Sequence, residues 1–183
     1  IWQEKKYRNL QGQYPVIFLS FASVKGETYL EVREGIIQTI LDLYAQYDYL
    51  RQSDALNEKE KAYFEYVNAN MSNTIAAMAL RRLSLCMNAH YGKKVLILLD
   101  EYDTPLQEAY VKGYWNELAA FMSSLFNYTF KTNPYMERGL LTGITRVSKE
   151  SIFSDLNNLE IVTTTSNKYS TAFGFTEVEV MNA

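Results

Sequence analysis

The strongest constraint in this sequence is the stretch KKVLILLDEYDTP at residues 93–105. Five consecutive aliphatic residues, 95–99, run directly into three acids within four positions, Asp100, Glu101 and Asp103. An unbroken aliphatic run of this length is typical of a buried strand in a parallel sheet. Two interpretations follow: a core strand that delivers carboxylates to a metal-bound phosphate, or a core strand that ends in an acidic turn.

Strand-like and helix-like segments alternate along the rest of the chain. Short runs rich in β-branched and aromatic residues predict further strands at 14–21, 138–143 and 161–164. The first of these, YPVIFLSF, is nearly all apolar, which favours a strand covered on both faces. Apolar residues three or four apart predict helices at 27–50, 58–68, 74–90 and 114–128. A further helix is expected to start within 174–180, with Thr176 as its N-cap. This alternation predicts an α/β fold with a mainly parallel sheet.

Local signals also predict how two of these helices begin and end. Gly92 follows the helix at 74–90, where a glycine C-cap is expected. After the acidic strand end, Thr104 is suited to be an N-cap, with Pro105 at the first helical position. Gln107 then completes the spacing of a capping box. We therefore expect a helix to start at Thr104, directly after the acids.

Length and charge limit the classes of protein to consider. At 183 residues the chain is long enough for one domain, so we expect residues 1–183 to form a single, partial domain. The formal net charge of −3 argues against binding nucleic acid mainly through bulk positive charge. No apolar run approaches the roughly 20 residues that span a bilayer, and no leader pattern is visible. A cytoplasmic protein without a membrane partner is the expectation.

The few residues with metal-binding or nucleophilic chemistry do not form a familiar site. Cys86 is the single cysteine, so no intrachain disulfide can form. It lies four residues before His90 on a predicted helix, and no second His/Cys pair completes a zinc site. The sequence has no G-x-S-x-G motif, and a Ser/His/Asp triad would have to use a histidine within a helix. The acidic strand end is therefore the main candidate for a functional site.

Asp100 and Glu101 follow a predicted parallel strand, and ligands of α/β proteins gather beyond such carboxyl ends. A phosphoryl-transfer site needs one carboxylate for Mg²⁺, usually through water, and a second that orients or deprotonates the attacking water. Asp103 stays undecided, since an acid there also favours the positive end of the following helix. Because both earlier acids precede a cap that Thr104 already supplies, the pattern favours function over an acidic turn.

A second group of candidates lies in LLTGITRVSK, residues 140–149. A strand ending at Thr142 would place a hydroxyl at the same sheet edge, where it could contact the attacking water or a terminal phosphate. Arg146 and Lys149 follow within reach, and both suit phosphate contacts. Alternatively, this segment is a surface loop with solvated basic residues.

The strings KKVLILLDEYDTPL, RGLLTGITRVSKESIFSDLNNLE and AFGFTEVEV together resemble the prokaryotic AAA-ATPase-like proteins. The resemblance implies a P-loop ATPase fold, a three-layer α/β sandwich that is often followed by a PD-(D/E)XK nuclease-like domain. It implies Mg²⁺ and ATP as ligands, with Asp100 as the metal residue and Glu101 as the catalytic acid. Thr142 would take the sensor position, and Arg146 would sense phosphate. A nucleic-acid partner is implied by the family resemblance alone.

One departure from the family pattern is serious. The family holds phosphates with a G-x-x-x-x-G-K-[ST] loop upstream of the first strand, and these 183 residues contain none. The single Gly-Lys pair, Gly92-Lys93, is followed by Lys94, and Met87 stands where the first glycine would be. The P-loop strand, which lies between the strands at 138–143 and 161–164 in the family, is missing as well. We expect no appreciable ATPase activity from the chain as given.

Three functions therefore remain open. The chain resembles the metal- and water-binding portion of an ATPase, truncated at both ends. It could instead be a degenerate relative that acts as a binding or assembly module, through self-association or through neighbouring domains. Last, Asp100, Glu101 and Asp103 could together form a metal-dependent phosphoesterase site.

Overall fold

The computed structural model describes residues 5–144, 152–153, 156, 159–163, 165–169 and 177–182. Its centre is a parallel sheet of three strands in the order β1-β2-β3. The strands are β1 (Val16–Ser20), β2 (Val95–Asp100) and β3 (Met136–Leu141). The aliphatic run before the acids is the central strand. The predicted α/β class with a parallel sheet is confirmed.

Helices make up most of the remaining described chain. They are α1 (Lys5–Arg8), α2 (Tyr29–Gln46), α3 (Glu58–Tyr66), α4 (Asn73–Tyr91), α5 (Thr104–Lys112), α6 (Trp115–Phe126) and α7 (Glu177–Met181). A 3₁₀ segment, Asp48–Gln52, follows α2, and a π-helical turn, Asn127–Lys131, extends α6. The helices predicted from apolar spacing are present, with ends shifted by a few residues.

Side-chain and glycine caps explain where the long helices begin and end. Thr28 and Ser72 each accept a hydrogen bond from a backbone N–H in the first turn of α2 and α4. Asn57 and Glu60 form a reciprocal capping box at the start of α3. Gly92 ends α4 in the left-handed conformation, with φ of 65°, as the sequence predicts.

One face of the sheet carries the hydrophobic core. Alternate strand residues such as Leu19, Ile97 and Leu99 point to this face and are buried. Helix α2 packs on β1, and α4 packs on β2 and on α6. The buried side of the sheet thus lies under a layer formed mainly by α2, α4 and α6. This layer fixes the strands, and with them the position of every residue at their carboxyl ends.

The other face of the sheet is largely open. Phe18, Leu98 and Leu140 occupy matching positions on the three strands, so they form one row on this face. Phe18 is 56% exposed and Leu140 is 57% exposed. The expectation that YPVIFLSF is covered on both faces is therefore wrong for the described residues. These residues form two layers, the sheet and one layer of helices, of the three that the family resemblance implies. Apolar composition predicts a strand, but it does not report whether a cover is present.

The outer edge of β3 is also open in the described part of the chain. The sequence predicts a fourth strand at 161–164, but residues 161–163 are not in a strand, and Thr164 lies outside the described residues. In place of a fourth strand, a groove of about 710 Å³ runs along β3, between the strand and Leu156, Leu159 and Glu160. Val162 and Thr163 favour a strand by composition, but in the described part of the chain they pair with no neighbouring strand.

Two further expectations are only partly covered by the structure. The predicted C-terminal helix is present as α7, whereas its predicted cap, Thr176, lies outside the described residues. Among the described helices, none combines the length and apolar character needed to cross a bilayer. The cytoplasmic location stays a prediction.

The two faces of β1 make a testable prediction about stability. We expect Leu19→Ala to lower the free energy of unfolding by about 2–5 kcal/mol, because it leaves a cavity in the core. Phe18→Thr, which places a β-branched residue suited to a strand at this exposed position, should change it by about 1 kcal/mol or less. Urea unfolding of both variants checks this. Equal losses would show that the open face is covered in solution.

Candidate functional site

Three strands end side by side at the carboxyl edge of the sheet. In the register of β1 with β2, Ser20 lies beside Asp100. In the register of β2 with β3, Leu99 lies beside Leu141, so the next residue, Thr142, lies beside Asp100 on the other side. Because parallel strands in register place matching side chains on the same face, the three polar side chains meet.

The Asp100 carboxylate lies between the two hydroxyl groups. The Thr142 hydroxyl donates a hydrogen bond of 2.6 Å to Oδ1, and the Ser20 hydroxyl donates one of 3.1 Å to Oδ2. The hydrogen bond from Thr142, followed by that from Ser20 and a smaller contribution from the Glu101 backbone N–H, lowers the pKa of Asp100, while partial burial opposes the effect. Donors directed at the charged form stabilise it, so this carboxylate is ionised at neutral pH.

Glu101 follows directly and has unusual backbone geometry. Its φ is 48°, in the left-handed region that non-glycine residues rarely occupy. Its Oε2 accepts a hydrogen bond of 3.0 Å from the Thr104 hydroxyl, and its carbonyl accepts one from the Thr104 backbone N–H. The tight connection from β2 to α5 thus places a second, partly exposed carboxylate next to the first.

The start of α5 differs from the prediction. Asp103 occupies the N-cap position and Thr104 is the first helical residue, so Pro105 is at the second position. The Thr104 hydroxyl bonds to Glu101 and makes no cap to the helix. Gln107 takes no part in a capping box centred on Thr104, because its backbone N–H and its side-chain amide both donate to Asp103. The predicted Thr104 cap is wrong because that hydroxyl has a carboxylate acceptor nearby.

Asp103, whose role the sequence left undecided, is 1% exposed. Its Oδ2 accepts a 2.8 Å hydrogen bond from Gln107, within α5. Asp100, Glu101 and Asp103 all lie in the described part of the chain, where no three Asp, Glu, His or Cys side chains are grouped to hold a metal ion. In the described structure these three acids therefore do not form a ready-made metal cluster, and a phosphoesterase that uses them directly stays an untested alternative.

Two predicted site residues cannot be placed, and one contributor was missed. Arg146 and Lys149 lie outside the described residues. Ser20 was not singled out in the sequence, although it ends its aliphatic strand as Asp100 ends the next one. Only the register of β1 against β2 shows that these two positions are neighbours. A polar residue at the end of each buried strand is the signal that could have identified Ser20.

The donors present fit magnesium better than a softer metal. Mg²⁺ prefers oxygen ligands and keeps several waters, so one or two carboxylates and substrate phosphates suffice to hold it. Asp100 supplies such an oxygen ligand, partly exposed and ionised. The Cys86 thiol, in contrast, is buried within α4, and burial raises its pKa to about 12, so it stays protonated and weakly reactive.

Removing either hydroxyl should raise the pKa of Asp100. We expect the larger rise for Thr142→Val, which removes the shorter hydrogen bond, and a smaller one for Ser20→Ala. Because the folded-state pKa is depressed, these bonds stabilise the fold above the unfolded-state pKa, and the stabilisation is lost as the pH falls through the folded-state pKa. A ¹³C NMR titration of the Asp100 carboxyl measures both shifts. Unchanged values in both variants would contradict the arrangement.

The left-handed backbone at Glu101 makes a second prediction. Both Glu101→Gly and Glu101→Ala remove the carboxylate, but only glycine adopts a positive φ without steric cost. We expect the glycine variant to be more stable to urea than the alanine variant by about 1 kcal/mol. The pair controls for the lost Thr104 hydrogen bond, since neither variant can form it.

Comparisons with known proteins identify a family for this chain. A family described as "Predicted AAA-ATPase" matches residues 1–153. An uncharacterized protein encoded in the vnfD 5′ region of Azotobacter chroococcum mcd 1 is 31% identical over 90 residues. That match covers 49% of this chain and 17% of the relative, so this chain corresponds to a small part of that protein. No solved structure matches the chain at a significant level.

The family match spans most of the chain, including all three strands and the residues after β2 and β3 that form the candidate site. On this evidence the chain belongs to the predicted AAA-ATPase family.

Proposed function

We propose that this chain supplies the magnesium- and water-binding part of an ATP hydrolysis site. The observation that carries the proposal is the Asp100 carboxylate, held between the Ser20 and Thr142 hydroxyls at the carboxyl end of the central parallel strand. A nucleotide phosphate in an α/β protein lies at that edge. Membership of the predicted AAA-ATPase family supports a nucleotide as the ligand.

Asp100 would hold the metal ion, directly or through its waters. Each carboxylate oxygen accepts one hydroxyl hydrogen, which fixes the plane of the group and leaves further lone pairs toward solvent. When bound, Mg²⁺ would neutralise charge on the nucleotide phosphates. The contribution of Ser20 and Thr142 is to keep Asp100 ionised and oriented before any ligand arrives.

Glu101 would orient the attacking water and accept its proton. A general base has to come within about 2.6–3.2 Å of the water oxygen. The hydrogen bond from Thr104 engages Oε2 of Glu101 on the helix side. In this role the Thr104 hydroxyl restrains the carboxylate, and the left-handed backbone at Glu101 sets the direction in which the side chain leaves the strand.

Thr142 has a more limited role than the sequence alone suggests. A hydroxyl has one hydrogen to donate, and Thr142 donates it to Asp100. Its remaining lone pairs can accept a hydrogen bond from the attacking water. The hydroxyl has no second hydrogen to donate to a phosphate oxygen. We therefore assign Thr142 to orienting water, and Arg146 remains the proposed contact to the terminal phosphate.

The proposal requires a phosphate-binding loop that these 183 residues do not contain. We propose that it comes from a segment outside them, which packs on the open face beside Phe18 and Leu140 and along the outer edge of β3. The chain as given would then bind Mg²⁺ weakly and would not hydrolyse ATP at an ordinary rate.

A second candidate is a non-catalytic binding or assembly module of the same fold. The open edge and groove beside β3 favour it, since unpaired strand edges readily accept another strand. The partner of such a module would be a second copy of the chain, a neighbouring nuclease-like domain or a nucleic acid. It predicts that Asp100 and Glu101 can be replaced without functional loss.

The metal part of the proposal can be tested on the chain as given with Mn²⁺ as a spectroscopic substitute for Mg²⁺. We expect Asp100→Asn to weaken Mn²⁺ binding, measured by electron paramagnetic resonance, by at least about tenfold, because the cation loses its carboxylate ligand. Asp54→Asn changes an exposed acid in the loop before α3 and should leave binding unchanged. Equal binding by the wild type and Asp100→Asn would refute the metal site.

The hydrolysis part is tested in the full-length protein that contains this chain. We expect Glu101→Gln to lower kcat by about 10²–10⁴-fold while nucleotide affinity is retained, because the amide cannot accept the proton of the attacking water. A full-length Glu101→Gln variant that turns over ATP as fast as the wild type would falsify the catalytic role. Turnover by the 183-residue chain alone at about 1 s⁻¹ or more would show that no added loop is required.

A further inference from the structure

The backbone at Gly143 lies directly against the buried side chain of Asp103. A Cβ placed on Gly143 would be 2.8 Å from Asp103 Cγ, closer still to Asp103 Oδ1, and 3.0 Å from Cε1 of Tyr102. Cβ atoms in proteins essentially never come within 3.0 Å of such a neighbour, so a residue larger than glycine at 143 has to shift either its own backbone or the Asp103 side chain. Gly143 is the residue immediately after Thr142.

Asp103 is held firmly on its own side of this contact. Its carbonyl accepts the Gln107 backbone N–H at 2.8 Å, and its Oδ2 accepts the Gln107 side-chain amide at the same distance. Helix α5 in turn buries Leu106 and Ala109 in the core. The carboxyl group therefore forms a rigid surface, and the backbone at 143 is the part that must conform to it.

Backbone hydrogen bonds connect this contact to the candidate site. The Tyr102 N–H donates to the Thr142 carbonyl at 3.1 Å, and the Thr142 N–H donates to the Leu99 carbonyl at 2.9 Å. The Tyr102 ring packs edge-on against Phe126 and Phe153, which fixes its own position. The strand pairing thus holds the backbone before Thr142. The close packing of Gly143 against Asp103 holds the backbone after it.

We propose that Asp103 and Gly143 form a positioning pair, in which the volume of the buried Asp103 carboxyl group fixes the backbone at 143 and thereby holds the Thr142 hydroxyl on Asp100. Neither residue needs to touch the nucleotide or the metal ion. The consequence for metal binding rests on the proposed function, whereas the positioning of Thr142 does not.

The first test measures the side-chain conformation of Thr142 by NMR, from three-bond couplings to its ¹³C-labelled methyl group. A β-branched side chain held in one rotamer gives extreme couplings, and one that samples several rotamers gives averaged couplings. We expect one rotamer in the wild type and averaged couplings in Gly143→Ala.

Gly139→Ala is the matched control for steric damage. Gly139 lies in β3, three residues before Thr142, and a Cβ there would be 2.7 Å from two ring atoms of Phe130, so this substitution also forces a shift. It lies on the core face, beside Ile97 and away from Asp100. We expect Gly139→Ala to lower the melting temperature while Thr142 keeps one rotamer. Averaging in both variants alike would overturn the proposal, since general loosening would then explain it.

Substitutions at position 103 separate volume from charge. Asp103→Asn keeps the size of the group and should leave Thr142 in one rotamer, whereas Asp103→Ala removes the supporting surface and should produce averaging. If Gly143→Ala does not fold, the Asp103→Ala result decides: a fixed Thr142 rotamer in that variant overturns the proposal. The double variant Asp103→Ala/Gly143→Ala should tolerate the added methyl group better than Gly143→Ala alone, because the obstructing atoms are gone.

Mn²⁺ binding then tests the consequence for the site. We expect Gly143→Ala and Asp103→Ala to weaken Mn²⁺ binding by about tenfold, as loss of a hydrogen-bond partner to a metal ligand typically does, and Asp103→Asn and Gly139→Ala to leave it within about twofold. If the wild type binds no Mn²⁺, the proposed function fails while the rotamer results still decide the positioning pair. Unchanged rotamers together with unchanged binding in Gly143→Ala and Asp103→Ala would overturn the pair itself.

Discussion

The pairing of β2 between two parallel strands in matched register is the constraint on which the site depends. That register brings a serine, an aspartate and a threonine from three distant parts of the sequence to one edge. A slip of one residue in β3 would turn the Thr142 side chain to the opposite face and remove its hydroxyl from Asp100. The irregularity in the pairing of β2 with β3 lies at Val95 and Leu96, at the far end of the strand, so it does not disturb this edge.

The same edge is where the backbone is most constrained. Only residues 101–103 connect β2 to α5, and the connection takes Glu101 into the left-handed region, at a cost of about 1 kcal/mol or more. Burial of Leu106 and the aromatic packing of Tyr102 against Phe126 stabilise the turn and offset that cost. A tight turn of this kind keeps the side chains of Asp100 and Glu101 close together and gives them different directions, as the proposed division between metal binding and water orientation requires.

Sequence patterns predicted the elements well because each depends on local information. The aliphatic run gave β2, apolar spacing gave α2 to α4 and α6, and glycine gave the end of α4. The misses depend on features of the folded structure that these local patterns do not show. Ser20 was missed because its importance comes from the register of β1 against β2. The Thr104 cap failed because a carboxylate three residues earlier competes for its hydroxyl. For Phe18, an apolar sequence could not reveal that the described chain leaves one face open.

The open face of the sheet and the candidate site belong to one arrangement. The row of Phe18, Leu98 and Leu140 lies on the same face as Ser20, Asp100 and Thr142, two residues back along each chain. A segment that delivered phosphate-binding amides to Asp100 would therefore cover apolar surface at the same time, and the burial would help to hold it there. That cover would also remove water from around Asp100, which would raise the pKa of its carboxyl group and favour the neutral form. The two hydroxyl donors oppose this change, so they would matter most under such a cover, because they keep ionised the carboxylate that we propose as the metal ligand.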